Sequence, residues 1–182
     1  EHLVFQSVPT LARDPRVNIT YHVIDAATLA PIRAVTYACP DMGCLINDVA
    51  EGPDGRLYVA RYAPGAIDVV DGDSGAILYT LPFAEDGNTA VSLDTYDATL
   101  YVAGYFPDEG QSGLARYDIS QPTPVRLSFD PIDVGALDIS PDGRYLTISN
   151  GPSRLIQQYR LEPFALLWTS PFDFVANFAD GG

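Results

Sequence analysis

Few residues in this chain carry the chemistry of an active site. Histidine occurs twice, at His2 and His22, and cysteine twice, at Cys39 and Cys44. A catalytic apparatus needs a nucleophile beside a base, a metal cluster, or a paired acid and base. No Gly-x-Ser-x-Gly elbow is present, and His22 sits inside a β-type run, where a lone histidine is more often structural than catalytic. Asp71-Gly72-Asp73-Ser74-Gly75 opens like a calcium loop, but the acidic ligand required at the twelfth position is Pro82. That segment is expected to be a turn, with Asp bonding the backbone ahead of it. The same reading covers Asp54-Gly55, Asp86-Gly87, Asp142-Gly143 and Asp180-Gly181. Oxygen ligands remain at Asn47, Asp48, Asp94, Asp138 and Asn177, in short apolar runs. A ring of such side chains could hold a calcium ion; otherwise no cofactor is expected. The alternative use of these groups is bonding to water and to neighbouring strands.

Cys39 and Cys44 enclose Pro-Asp-Met-Gly, a span that a disulfide can close, and zinc would need ligands that the distant histidines do not offer. A disulfide implies an extracytoplasmic setting, periplasmic, cell-surface or secreted. With no Met and no apolar leader at its start, the sequence is expected to be the mature form after loss of a leader. The net charge is −14, from 19 Asp, 5 Glu, 10 Arg and no Lys. Such acidity argues against nucleic acid and anionic membrane as partners. No apolar run approaches the roughly 20 residues that cross a bilayer as a helix. At 182 residues and 47% hydrophobic content, the chain suits a single domain.

The elements that must position these residues repeat along the chain. Leu57-Tyr58-Val59-Ala60 returns as Leu100-Tyr101-Val102-Ala103, then as Tyr145-Leu146-Thr147-Ile148, and more faintly as Leu3-Val4-Phe5-Gln6. Two copies follow the same turn, Pro53-Asp54-Gly55-Arg56 and Pro141-Asp142-Gly143-Arg144. Around each copy lie short β-branched and aromatic runs bounded by Gly, Pro, Asp and Asn, with no stretch of 3.6-residue periodicity. Four short strands every 40 to 45 residues, roughly, are the mark of a β-propeller blade. A β-sandwich has similar strands but would not repeat the turn together with the strand.

These motifs resemble the YVTN-type and NHL-like propeller repeats: Pro-Asp-Gly, Leu-Tyr-Val-Ala, a strand ending in Val70-Asp71, then Ser74-Gly75 and a short outer strand. The resemblance implies an all-β fold of four-stranded antiparallel blades, about four in this chain. Their expected extents are 173–182 joined to 1–37, then 46–81, 90–129 and 135–170. In each, strands a to d run from the centre outward. The C-terminal strand a is expected to pair with the N-terminal strands b, c and d, closing the ring. Two chains sharing a larger ring, or one longer chain, would satisfy the same pattern. The family hosts lactonases, other hydrolases, redox subunits and plain scaffolds, so the fold does not choose among them. The lactonase-type members imply the calcium role for Asn47, Asp48, Asp94, Asp138 and Asn177, although these do not fall at equivalent repeat positions.

The long connections are the b–c loops Ser7 to Asn18 and Gly104 to Ser112 and the d–a loop Ala38 to Leu45, all on one face. Loops that serve no core carry function disproportionately. Arg13, Arg16, Arg61, Tyr62, Tyr105, Phe106, Arg154 and Phe172 are the arginines and aromatics placed there, and these types anchor interfaces. The expectation is a non-catalytic scaffold or accessory subunit that binds a protein partner through this face. A calcium-dependent lactonase-like hydrolase and a sugar- or small-ligand-binding propeller are the alternatives.

Overall fold

The computed structural model describes residues 2–7, 18–40, 46–61, 65–84, 90–150 and 154–171, and every regular element among them is a β-strand. Sheet 1 holds β1 (His2–Ser7), β2 (Asn18–Asp25) and β3 (Pro31–Ala38). Sheet 2 holds β4 (Ile46–Glu51), β5 (Leu57–Arg61), β6 (Gly65–Val70) and β7 (Ile77–Ala84). Sheet 3 holds β8 (Ala90–Tyr96), β9 (Thr99–Phe106), β10 (Gln111–Asp118) and β11 (Val125–Asp130). Sheet 4 holds β12 (Ala136–Ile139), β13 (Tyr145–Asn150), β14 (Leu155–Arg160) and β15 (Ala165–Pro171). All pairings are antiparallel between chain neighbours, so each sheet is a meander. The strand expected to complete sheet 1, within 173–182, lies outside the described residues.

Turn chemistry explains why the chain folds back where it does. In the a–b turns the amide of Gly55 donates to the carbonyl of Gly52 at 2.9 Å, and that of Gly143 to Ser140 at 2.8 Å. Pro53 and Pro141 preset the first central φ, while Gly55 and Gly143 take φ of 78° and 65°, a region that side chains disfavour. In the c–d turns an Asp ends strand c and folds over the bend. Asp25 Oδ1 accepts from the Ala27 and Thr28 amides and the Thr28 hydroxyl, and Asp71 Oδ1 accepts likewise from Asp73 and Ser74. The Asp71 segment is therefore a hydrogen-bonded turn.

The sheets stack face to face. Sheet 2 is buried on both sides. Leu57, Val59 and Val70 meet Ile19, Tyr21, Val35 and Tyr37 of sheet 1, while Tyr58, Ala60, Ile67 and Val69 meet Leu93, Leu100 and Val102 of sheet 3. The far side of sheet 3, through Tyr101, Ala103 and Leu114, covers Leu137, Ile139, Leu146, Ile148 and Tyr159 of sheet 4. Strands covered on both faces carry apolar residues at every position, which is why their sequences alternate poorly.

One repeat copy is displaced by a residue. The Gly52 amide bonds the Arg56 carbonyl, but the Ser140 amide reaches Tyr145, so the a–b turn of sheet 4 is one residue longer. The match of Tyr145 to Leu57 is corrected accordingly. Leu146 and Ile148 occupy the places of Leu57 and Val59, and Tyr145 points outward, 37% exposed. A one-residue slip exchanges the two faces of a strand, and burial of Leu146 and Ile148 selects this register.

Neighbouring sheets are latched at their innermost strands. A strand at the edge of a sheet leaves alternate N–H groups without partners. Here the next sheet's edge is capped by side-chain oxygens. Asp48 Oδ2 accepts the Leu93 amide at 2.9 Å and the Ser92 hydroxyl at 2.6 Å. Ser92 Oγ accepts the Leu137 amide at 3.2 Å, and Asp94 Oδ2 accepts the Ile139 amide at 2.7 Å. Each acceptor precedes its backbone donor by 45 residues, one repeat. Replacing Asp48 by Ala orphans the part-buried Leu93 amide and the Ser92 hydroxyl. Chemical denaturation should show a loss of about 2–4 kcal/mol, against about 1 kcal/mol for Ser92→Ala.

Candidate functional site

The inner-strand ends and the a–b turns enclose a recess of about 870 Å³. Sheet 2 lines it with Glu51, Pro53 and Asp54, sheet 3 with Asp94 and Asp97, sheet 4 with Asp138 and Ser140, and Arg33 reaches in from β3. Five carboxylates and one guanidinium thus line the recess, and one of the five, Asp54, is paired with Arg56. Arg33 is already engaged, donating to Glu51 Oε1 at 2.7 Å and to the Gly55 carbonyl at 2.7 Å. The recess opens on the a–b turn side, opposite the long loops from which the sequence predicts binding. The sequence gives no sign of Arg33, Glu51, Asp54 and Asp97 as site residues: Asp54 reads as a turn former, Glu51 and Asp97 stand at or just beyond strand ends, and Arg33 lies inside β3 with partners on another sheet.

Two of the expected calcium ligands are committed elsewhere. Asp48 spends Oδ1 on the Val49 amide and Oδ2 on sheet 3. Asp94 spends Oδ1 on the Thr95 amide and Oδ2 on sheet 4. Asn47 and Asp138 are exposed, and Asn177 lies outside the described residues. Among the described residues no group of three or more His, Cys, Asp or Glu side chains is placed to hold a metal ion. Burial pushes the Asp94 carboxyl from the ordinary 3.8 up to about 6, with Asp138 and Asp48 adding to the rise and the Ile139 and Thr95 amides opposing it.

The loop-face residues divide as the structure places them. Arg61 is turned inward, 4% exposed, against Asp68, which is fully buried. Its Nε lies 2.8 Å from Asp68 Oδ2, the Thr80 hydroxyl donates to Asp68 Oδ1 at 2.7 Å, and the Tyr37 hydroxyl donates to Asp68 Oδ2. This polar knot sits between sheets 1 and 2. The counterparts of Arg61 and Asp68 in sheet 3 are Gly104 and Ala115, so the repeat pattern gave no sign of it. Phe106 also departs from the expected loop. Strands β9 and β10 continue to the Phe106–Gln111 pair, shrinking the b–c connection, and Phe106 is 3% exposed. It meets Phe129 edge to face at 5.1 Å, and Arg126 lies over both rings while pairing with Asp108 and Glu109. Tyr105 is half-buried and Arg154 exposed, with φ of 54°. Arg13, Arg16, Tyr62 and Phe172 lie outside the described residues. Cys39 is buried against sheet 2, and Cys44 lies outside the described residues. Among the described residues no helix is long and apolar enough to cross a membrane.

No family model and no curated protein sequence matches the chain. Solved structures do. Dihydro-heme d1 dehydrogenase NirN in complex with DHE aligns over 87% of this chain and 35% of its own, at 18% identity and TM-score 0.57. A candidate 6-phosphogluconolactonase from Bacteroides uniformis aligns over 95% and 55%, at 14% identity and TM-score 0.62. The Cps50 (Swd1) beta-propeller domain of Myceliophteria thermophila aligns over 91% and 54%, at 13% identity and TM-score 0.58. The chain therefore spans about a third of the length of the first of these and little more than half of the other two. Likeness at such identity carries the fold alone: the sheets are arranged as in a β-propeller. The narrower YVTN and NHL resemblance has no matching family model.

Two measurements follow. The carboxyl of Asp94 is raised in the fold, so its protonated form is favoured there. Its contribution to stability is full below about pH 4 and is lost as pH rises through about 6, by up to about 3 kcal/mol. Stability profiles from pH 4 to 7 should show this decline, and Asp94→Asn should flatten it; an unchanged slope contradicts the assignment. Phe106→Ala should lower stability by about 3–5 kcal/mol, because it empties a packed site, whereas Tyr105→Ala should cost about 1 kcal/mol or less.

Proposed function

We propose that the chain is a non-catalytic β-propeller scaffold or accessory subunit that holds a basic segment of a protein partner in its acidic recess. The observation that carries this reading is the set of five carboxylates, Glu51, Asp54, Asp94, Asp97 and Asp138, around one recess, of which Asp97 and Asp138 stay exposed while Glu51 is bound to Arg33, Asp54 to Arg56 and Asp94 to backbone amides. Carboxylate walls in a concave surface concentrate the field and favour Arg- and Lys-rich ligands. The commitment of Asp48 and Asp94 to backbone amides supports a structural use of the inner carboxylates over a catalytic one. Arg13, Arg16, Tyr62, Tyr105, Arg154 and Phe172 are kept as a second contact area for the same partner on the opposite face. Arg61 and Phe106 are withdrawn from it, because their side chains are buried. We also propose that Cys39 and Cys44 form a disulfide and that the protein works outside the cytoplasm.

The rival reading is a calcium-dependent hydrolase of lactonase type. The observation that favours it is the carboxylate pair Asp94 and Asp138 at the channel mouth, close enough to raise the Asp94 carboxyl. Fluorescence anisotropy with a labelled oligoarginine peptide separates the two. The scaffold reading expects saturable binding that weakens as salt rises and falls about tenfold in an Asp97→Asn, Asp138→Asn double variant. Calcium should then leave both the peptide affinity and the melting temperature unchanged. No binding, or binding indifferent to the double variant, refutes the scaffold reading. A calcium-dependent rise in melting temperature lost with the same variant supports the rival.

A further inference from the structure

The acidic recess also carries an aromatic ring. Tyr96 ends strand β8, lines the recess and is 37% exposed. Its ring is held from the next sheet. It lies so close to Gly143, in the a–b turn of sheet 4, that a Cβ at that glycine would stand 2.0 Å from Tyr96 Cε1. The ring is therefore placed before any ligand arrives, which lowers the ordering cost of binding. Asp97 is the next residue of the chain, and Asp138 lines the same recess from sheet 4; both are exposed.

Elsewhere the molecule shows what such a set of groups takes. The Arg126 guanidinium carbon lies 5.2 Å from the centre of the Phe106 ring and 5.1 Å from that of Phe129, while its terminal nitrogens pair with Asp108 and Glu109 at 2.6 Å. Arg116 lies 5.1 Å from the centre of the Phe164 ring and pairs with Asp130 at 2.5 Å. In both places an aromatic ring and neighbouring carboxylates hold a guanidinium. A third guanidinium, that of Arg33, is seated in the recess itself, on Glu51 Oε1 and the Gly55 carbonyl.

We infer that Tyr96, Asp97 and Asp138 form a site for an arginine side chain of the partner, its guanidinium lying on the phenol ring and donating to the two carboxylates. The inference rests on the reading that the recess holds a basic segment, and it narrows that segment to one bearing arginine. A guanidinium is flat and weakly hydrated, so it can stack on a ring and still present donors along its edge. An ammonium is compact and strongly hydrated, and it gains less from the ring.

Fluorescence anisotropy with oligoarginine and oligolysine peptides of equal length tests this. The parent protein should bind oligoarginine about fivefold or more tightly. Tyr96→Leu, which keeps apolar bulk without a ring, should bring the two affinities to within about twofold, and Tyr96→Phe should keep them apart. Tyr79→Leu, which removes an equally exposed tyrosine from the outer strand β7, should leave the ratio as in the parent. Should Tyr96→Leu not fold, the Tyr96 ring resonances, assigned by their loss in Tyr96→Phe, should shift with oligoarginine and stay in place with oligolysine. Equal affinities for the two peptides overturn the inference. They leave the acidic-recess reading standing where both affinities fall in the Asp97→Asn, Asp138→Asn double variant. No binding of either peptide overturns both. A preference that survives Tyr96→Leu, one that Tyr79→Leu abolishes equally, or ring resonances indifferent to oligoarginine also overturn the inference.

Discussion

The architecture depends on side-chain oxygens that satisfy the bare edge of the next sheet's innermost strand. Apolar stacking pulls the sheets together, but it is non-directional and would tolerate sliding. The bonds from Asp48 to the Leu93 amide, from Ser92 to Leu137 and from Asp94 to Ile139 have direction, and each fixes the height of one sheet against the next. Because the inner strands converge, short side chains suffice to bridge them. The cost is carboxylate burial in a region that already contains like charge, which is visible in the raised Asp94 carboxyl.

That device shapes the candidate site. Once Asp48 and Asp94 are occupied by amides, Glu51 by Arg33 and Asp54 by Arg56, the exposed carboxylates left at the mouth are Asp97 and Asp138. Asp97 follows strand β8 and Asp54 sits in the a–b turn beside it, so the electrostatic character of the recess is a by-product of turn chemistry repeated around the centre. Arg33 marks the limit of that character: it crosses from sheet 1, neutralises Glu51 and braces the Gly55 carbonyl. A recess so built owes its charge and its volume to the same turns that join the strands.

Blade-specific departures from the repeat are where the stack is individual. Arg61, Asp68, Tyr37 and Thr80 form a buried polar knot between sheets 1 and 2 where sheet 3 has Gly104 and Ala115. Burial and the Asp68 contact hold the Tyr37 phenol protonated, so it serves as a donor. Removing one partner from such a knot costs more than the knot contributes, because it leaves a buried charge uncompensated. The Phe106, Phe129 and Arg126 cluster lies within sheet 3, where it ties the outer strand β11 to the tip of β9.

Local sequence determined the strands, their order in each sheet and the turns between them. Hairpin pairing follows from neighbouring apolar runs, Pro and Gly preset the bends at 53–55 and 141–143, and Asp25 and Asp71 close their own turns through bonds a few residues long. These are short-range effects, and the repeated motif made them legible. Tertiary structure decided what lies across sheets. It showed that Arg61 and Phe106 turn inward, because their partners Asp68 and Phe129 are distant in sequence or on another strand. It moved the sheet 4 register by one residue, because only burial against sheet 3 distinguishes Leu146 from Tyr145. It gave Asp48 and Asp94 to amides 45 residues away. Such contacts depend on how sheets stack, and a pattern of residue types along the chain carries no measure of that distance.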